Sequence, residues 1–239
     1  MSREIESYKI HFEDAAIDDL RDRLARTRFP DQIEGVNWDY GTELSYLQDL
    51  VGYWRDKFDW RAQEAELNRF DHFRTTLDGQ SGHFLHAPSK HAGALPIVIS
   101  HGWPGTIVEF LEVIDPLRNP EAHGGRAEDA FHVVCPSLPG YGFSEPTRSR
   151  GWNARRMAAA FAELMARLGY TRYGAQGGDW GALVTTEIAR CDPEHVCGIH
   201  LNMPLGQPAA GGPELTPVEQ QDLAALTAFQ GGRPATNEF

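Results

Sequence analysis

Residues 175–189 read "AQGGDWGALVTTEIA", and two glycines flank Asp179 where a strand turns sharply into a helix. The spacing small-x-nucleophile-x-small, with Gly177 and Gly181 at the small positions, is that of a nucleophile elbow. Such an elbow holds its reactive side chain at strained backbone dihedral angles. Asp is also a preferred N-cap residue. The stretch alone therefore leaves two interpretations of Asp179: a nucleophile, or the cap of a helix over 180–191.

Short apolar strands alternate with helices around this stretch. The alternation is typical of a mostly parallel sheet covered by helices on both faces, so the predicted fold class is α/β. The predicted strands are 95–100, 131–137, 172–176 and 196–202, and the predicted helices lie near 106–118, 153–168 and 180–191.

The first ninety residues follow a different pattern. Apolar spacings of three and four predict a helix over 14–27, with Asp14 as its N-cap, and a core-facing helix over 42–58. Two extended runs in 72–87 flank Asp78-Gly79, which predicts a β-hairpin.

The predicted domain organisation has three parts. Residues 1–92 form an N-terminal helical and hairpin extension, and 93–205 form the N-terminal portion of the α/β core. Residues 206–239 begin a further segment, with a helix from about Pro217 to Phe229.

Composition excludes several classes of partner. The net charge of −12 argues against nucleic acid and anionic membranes, because there is no basic excess to bind phosphate. Cys135, Cys191 and Cys197 lack metal-type spacing, and no dinucleotide-binding fingerprint is present. We therefore expect no cofactor and no metal. The N-terminus carries no apolar signal or anchor, so a soluble, cytoplasmic protein is expected.

Three glycine-rich turns are predicted at the carboxyl ends of the strands, where ligands collect in parallel sheets. They are "HGWPG" (101–105), "LPGYGFS" (138–144) and "QGGDWG" (176–181). The backbone N–H groups of Trp103 and Trp180 are expected to converge on one oxygen as an oxyanion hole. This second feature favours Asp179 as a nucleophile over a plain cap. His101 precedes its turn and is expected to be structural.

An aspartate at the elbow changes the chemistry that a serine would support. A serine that attacks an sp³ carbon leaves an ether, which water does not readily cleave. An aspartate leaves an alkyl ester that can be hydrolysed at its carbonyl. Asp179 therefore predicts displacement at carbon, as in epoxide opening or carbon–halogen cleavage.

The sequence from about Tyr8 to Pro204 resembles the microsomal-type epoxide hydrolases, a family with the α/β-hydrolase fold. The resemblance lies in "LRDRLARTRFPD", "YLQDLVGYWRDKFDWR" and "ELNRFDHFRT", and then in "HGWPG", "PSLPGYGFS", "LGYTRYGAQGGDWG" and "GIHLNMP". It implies Asp179 as nucleophile, Trp103 and Trp180 as oxyanion-hole amides, and a small apolar epoxide as substrate.

The family's remaining catalytic groups find no match in this sequence. His195 and His200 are the histidines after Asp179, and neither has a route to the position of the catalytic base. No tyrosine follows Tyr173 to protonate the epoxide oxygen. The resemblance thus implies a chain that stops before the family's cap and C-terminal core, and a partner that completes it, by self-association or as a second chain. The alternatives are a haloalkane dehalogenase, suggested by Trp180, and an inactive fragment that serves as an interaction module.

Overall fold

The computed structural model describes residues 4–204 and 214–231. These residues fall into two compact units. One consists of residues 4–12 and 59–204, and the other of residues 13–58 and 214–231. The first unit contains the sheet and every residue predicted for the site.

A mixed sheet of seven strands forms the centre of the first unit, in the order β1-β2-β3-β5-β4-β6-β7. The strands β4 to β7 run parallel to their neighbours in this group, as predicted, whereas β1, β2 and β3 join antiparallel. The predicted hairpin therefore belongs to the same sheet as the core strands. The strands are β1 (Glu6–Tyr8), β2 (His72–Leu77), β3 (Gln80–Ala87), β4 (Leu95–Ser100), β5 (Phe131–Pro136), β6 (Tyr173–Gly177) and β7 (Val196–Leu201).

Seven α-helices and three short 3₁₀ turns are found in the described residues. The helices are α1 (Asp14–Ala25), α2 (Leu44–Asp56), α3 (Trp60–Leu67), α4 (Leu111–Arg118), α5 (Ala154–Arg167), α6 (Trp180–Cys191) and α7 (Pro217–Gly231). The 3₁₀ turns are Ile107–Phe110, Pro120–His123 and Ala127–Asp129. The helix predicted near 106–118 is thus a 3₁₀ turn followed by α4. None of the helices in these residues is long and apolar enough to cross a membrane.

Alternate residues of the central strands enter two separate apolar clusters, because successive side chains of a strand point to opposite faces. Val98 of β4 packs in a cluster with Phe161 of α5 and Val184 of α6. Its neighbour Ile99 packs in the other cluster with Ile114 of α4. Helices therefore cover both faces of the sheet, as the sequence predicts.

Two predictions about the helices of the second unit are wrong. Glu13, not Asp14, occupies the N-cap position of α1, and Asp14 is the first helical residue. An acidic residue is favourable both at the cap and in the first turn, so the sequence does not separate the two positions. No residue of α2 is buried, and Trp54 is 46% exposed. A unit this small buries little of its surface, although α2 has the apolar spacing of a core helix.

The hairpin turns at Asp78 and Gly79, as predicted. Their φ angles are 45° and 77°, and consecutive positive values are typical of a type I′ turn between two strands. Nε of Arg156 donates to Oδ2 of Asp78 at 2.6 Å, which ties the turn to the first residues of α5.

Candidate active site

The turn between β6 and α6 has the geometry of a nucleophile elbow. Asp179 has φ 52° and ψ −129°, a backbone conformation that is strained for a residue with a Cβ atom. A Cβ added to Gly177 would overlap the carbonyl of Gly181, and one added to Gly181 would overlap the carbonyl of Ser100. Only glycine fits at either position, which explains the small residues on both sides of Asp179.

The Asp179 carboxylate is held by backbone N–H groups and does not cap α6. The N–H of Trp103 donates to Oδ1 at 3.0 Å, and the side chain makes no capping hydrogen bond to the helix. Hydrogen bonds from the N–H groups of Trp103 and then Trp180 lower the pKa of the Asp179 carboxyl below its ordinary value. The Trp103 N–H thus binds the Asp179 carboxylate, and the lowered pKa means that this carboxylate is ionised at neutral pH.

The turn that carries Trp103 is itself packed against this carboxylate. A Cβ added to Gly102 would overlap the Asp179 side chain. His101 is buried, and its Nε2 accepts the N–H of Leu138 at 3.0 Å while Nδ1 bonds the Gly102 carbonyl at 2.9 Å. Both ring nitrogens of His101 are thus bonded to backbone groups, Nε2 to Leu138 and Nδ1 to Gly102, and neither bonds Asp179. This geometry agrees with the structural role expected for His101.

Glu109 is a second acidic residue near Asp179, and the sequence analysis does not identify it. It lies in the 3₁₀ turn after "HGWPG", and a Cβ added to Gly105 would overlap its carboxylate. Partial burial, and then the negative charge of Asp179, raise the pKa of Glu109. Gly105 is therefore small because the Glu109 carboxylate occupies the adjacent space. The one sequence signal is a glutamate four residues after a glycine.

The aromatic side chains beside the nucleophile are open to solvent. Trp103 is 64% exposed and Trp180 is 53% exposed. Their N–H groups point at Asp179 while their rings lie at the surface of the described residues. The turn that carries Asp179 and the turn that carries Trp103 thus lie together at the carboxyl ends of β6 and β4.

The two histidines that follow Asp179 in the sequence lie elsewhere. His195 precedes β7, and its Nδ1 bonds Oδ1 of Asp192 at 2.5 Å, which raises the pKa of the imidazole. Because β6 and β7 are parallel, the start of β7 lies at the opposite edge of the sheet from Asp179. His200 pairs in register with Gln176. Neither is among the groups that shift the pKa of the Asp179 carboxyl.

Two known families together match nearly the whole chain. Residues 5–110 match the family described as Epoxide hydrolase N terminus, and residues 96–231 match the family described as alpha/beta hydrolase fold.

Two curated relatives illustrate the likeness in sequence. Over 226 residues the chain is 54% identical to a protein of Stigmatella aurantiaca named "Putative epoxide hydrolase", with 94% of this chain and 51% of that protein covered. Over 205 residues it is 42% identical to Epoxide hydrolase 1 of Sus scrofa, with 84% and 45% covered. The chain thus spans about half the length of the curated relatives that it matches.

Two solved structures give the same result. The juvenile hormone epoxide hydrolase of the silkworm Bombyx mori superposes with a TM-score of 0.76 at 34% identity, covering 84% of this chain and 53% of that one. The epoxide hydrolase of Aspergillus niger superposes with a TM-score of 0.80 at 30% identity, covering 95% and 60%.

Proposed function

This chain belongs to the epoxide hydrolase family, which has the α/β-hydrolase fold, and on that premise we propose that it acts in the hydrolysis of an epoxide to a diol through an ester on Asp179. One observation carries the proposal. The Asp179 carboxylate sits on a strained turn and accepts the Trp103 N–H from the end of another strand, and it makes no capping hydrogen bond to α6.

The first step is attack on carbon. The Trp103 N–H holds Oδ1 of Asp179, so the carboxylate is oriented before the substrate arrives. A carboxylate oxygen forms a bond to one epoxide carbon as the bond between that carbon and the ring oxygen breaks. The electron pair of the broken bond stays on the ring oxygen, which then takes up a proton. The product is a β-hydroxyalkyl ester of Asp179.

The second step is hydrolysis of that ester. Water attacks the carbonyl carbon, a base takes the proton of the water, and negative charge develops on the carbonyl oxygen. In this proposal the N–H groups of Trp103 and Trp180 stabilise that charge, which is supported by the hydrogen bond from Trp103 to the free carboxylate. Collapse of the intermediate breaks the ester bond, and the leaving alkoxide takes a proton to complete the diol. Asp179 is regenerated with an oxygen from water. Loss of one oxyanion donor typically lowers the rate by about 100-fold or more.

No histidine base for the second step is found beside Asp179 in the described residues. His195 lies at the opposite edge of the sheet, and His200 is not among the groups that hold the carboxylate. We therefore propose that complete turnover uses a base, and a proton donor to the epoxide oxygen, from outside the described residues.

Trapping of the ester tests the nucleophile directly. The folded chain is incubated with styrene oxide, and intact-mass spectrometry is expected to show one added substrate mass, located at Asp179 by peptide mapping. The Asp179→Asn variant is expected to stay unmodified. Asp78→Asn is the matched control, because Asp78 is also an aspartate at positive φ, and it is expected to label like the parent chain.

Three results would contradict the proposal. Equal labelling of Asp179→Asn would remove Asp179 as the nucleophile. A folded parent chain that stays unmodified would show that the elbow does not attack epoxides. Halide release from a bromoalkane without any reaction with epoxides would favour the haloalkane dehalogenase alternative.

A further inference from the structure

Four polar residues form a buried cluster between the hairpin strands and the end of β5. His72 and His83 are 2% and 1% exposed, and Ser137 and Ser144 are 2% and 8% exposed. Ser137 and Ser144 flank the loop 138–143 after the carboxyl end of β5, and the turn that carries Trp103 follows the carboxyl end of its parallel neighbour β4. Buried polar groups in such numbers are costly unless each is hydrogen-bonded.

The hydrogen bonds of His72 and His83 form a chain in which every donor points from Ser137 towards the Leu67 carbonyl. Nε2 of His72 lies 2.8 Å from the Leu67 carbonyl, which only accepts, so Nε2 carries the proton. In a neutral His72, Nδ1 must then accept from Nε2–H of His83 at 3.0 Å. Nδ1 of His83 in turn accepts from the Ser137 hydroxyl at 2.9 Å. In their neutral form both imidazoles are therefore protonated on Nε2.

A charged His72 would instead donate from Nδ1 to His83, which would reverse the chain of hydrogen bonds. The burial of both histidines opposes such a charge. Burial is the largest cause that lowers the pKa of His72 and His83, to about 3 for His83. The guanidinium of Arg74 on β2 lowers the His83 pKa further, whereas Asp71 acts in the opposite sense on His72. The remaining titratable contact is Tyr8 of β1, whose ring meets His83 edge-on at 5.6 Å.

His83 also fixes both ends of the loop 138–143 through its backbone. The N–H of Ser137 donates to the His83 carbonyl at 2.9 Å, and the N–H of His83 donates to Oγ of Ser144 at 2.9 Å. Oγ of Ser144 then donates to the Ser137 carbonyl at 2.9 Å. One residue of β3 thus sets the position at which β5 passes into the loop.

The next residue connects this cluster to the site. The N–H of Leu138 donates to Nε2 of His101, so the proton of a neutral His101 is on Nδ1, from which it donates to the Gly102 carbonyl. The following N–H in the chain is that of Trp103, which binds Asp179. His101 is therefore the opposite tautomer from His72 and His83.

We propose that His83 and Ser137 are positioning residues of the Asp179 site, which hold Leu138 and, through His101, aim the Trp103 N–H at the carboxylate. The tautomers follow from the hydrogen bonds of buried, neutral imidazoles and do not depend on the proposed function. The kinetic part rests on the proposed function of Asp179.

The tautomers are tested by two-bond ¹H–¹⁵N correlation spectra of the ¹⁵N-histidine-labelled chain at neutral pH. Resonances are assigned by their loss in His72→Gln, His83→Gln and His101→Gln. We expect Nε2–H tautomers at His72 and His83 and an Nδ1–H tautomer at His101. A charged or tautomerically averaged His83, or a His101 protonated on Nε2, would overturn the proposal whatever the activity of the chain.

The proposed link between the buried cluster and the Asp179 site is tested with Ser137→Ala. This variant removes the hydroxyl that donates to Nδ1 of His83. The matched control is Ser89→Ala, because the Ser89 hydroxyl accepts the His91 N–H well away from the cluster. We expect the rate of Asp179 labelling to fall about tenfold in Ser137→Ala, less than on loss of a direct donor. We also expect the Trp103 amide resonance to move. The control is expected to leave both unchanged.

The outcomes of this test separate the two proposals. A folded Ser137→Ala with an unchanged labelling rate and an unchanged Trp103 amide would overturn the positioning role. If Ser137→Ala does not fold, Ser137→Thr, which keeps the hydroxyl, is expected to retain the His83 tautomer and the labelling rate. Loss of either in folded Ser137→Thr counts against the proposal. If the parent chain is not labelled, the proposed function fails, and the histidine spectra and the Trp103 amide still decide the positioning.

Discussion

Asp78 and Asp179 have nearly the same φ angle, 45° and 52°, in two turns of very different construction. Asp78 lies in the hairpin turn, and a Cβ added to its neighbour Gly79 would meet no atom within 4 Å. Its carboxylate is paired with Arg156 at the surface. Asp179 lies between glycines at which a Cβ would overlap backbone atoms, and its carboxylate is held by backbone N–H groups.

The comparison shows how a positive φ in an ordinary hairpin turn differs from a positive φ in the candidate site. A positive φ alone is a local requirement of chain reversal, which Asp and Asn meet at modest cost. At Asp179 the same angle is combined with close packing of two other backbone segments. The strain there is maintained by the surrounding fold, as expected of a reactive group that is held in place before the substrate binds.

The largest difference between the two turns is expected in the free energy of unfolding when a glycine near each aspartate is replaced by alanine. Gly181→Ala places a methyl group on the Ser100 carbonyl, so we expect a loss of about 3 kcal/mol or more in the free energy of unfolding. Gly79→Ala has free space and only the positive φ to oppose it, for a loss of about 1 kcal/mol. Urea denaturation followed by circular dichroism measures both. Equal losses would remove the distinction between the turns.

The next largest effect is expected on the rate at which an epoxide labels Asp179. A methyl group in Gly102→Ala overlaps the Asp179 carboxylate, which is a side chain and can move aside. We expect the rate of Asp179 labelling by styrene oxide to fall about 100-fold, because small displacements of a reacting group have effects of this size. Gly79→Ala is the control and is expected to label normally. Normal labelling of Gly102→Ala would show that the packing of this turn does not orient the nucleophile.

A smaller effect is expected in the titration of Asp179. Hydrogen bonds from Trp103 and Trp180 lower its pKa in the folded chain, so their stabilising effect is complete above the unfolded-state pKa. That effect is lost as the pH falls through the lower, folded-state pKa. We expect the ¹³Cγ resonance of Asp179, assigned by its absence in Asp179→Asn, to titrate below the ordinary Asp range. A midpoint in or above that range would contradict the two hydrogen bonds.

The smallest effect is expected on thermal stability when the strained residue is replaced. Asp179→Gly and Asp179→Ala both remove the carboxylate and its hydrogen bond from Trp103, and glycine alone relieves the positive φ. We therefore expect Asp179→Gly to melt about 2–4 °C above Asp179→Ala. Asp78→Gly and Asp78→Ala are expected to differ less, because Asp78 has a milder conformation. Calorimetry of the four variants measures the difference. A melting temperature of Asp179→Gly at or below that of Asp179→Ala would show that the elbow is not under strain.

Much of the fold is predictable from the sequence, because its signals are local. Apolar runs of strand length predict β4 to β7 to within about a residue of their observed ends, and Asp78-Gly79 predicts the hairpin. The predicted fold class and the family resemblance are confirmed by the family matches and the solved structures. The spacing of Gly177 and Gly181 likewise predicts the elbow. The roles of Asp179, Trp103 and Trp180, and the domain boundaries, stay predictions.

The rest depends on contacts between distant residues, which have no local signal. His83 and Ser137 are 54 positions apart and meet because β3 pairs with β5. That antiparallel pairing also places the hairpin in the main sheet. The apolar spacing of α2 indicates which face is apolar, but not how much of that face is covered.

The strand β7 ends the sheet, with β6 as its single neighbour among the described strands. In a parallel ladder, alternate residues of such a strand direct their backbone N–H groups to the neighbour and away from it. Deuterium uptake along Val196–Leu201 is therefore expected to alternate between slow and fast amides. A strand on the other side of β7, from a second copy or another chain, would slow the fast set and leave the slow set as it was. Amide exchange at six consecutive residues thus gives a direct assay for any strand that pairs with β7.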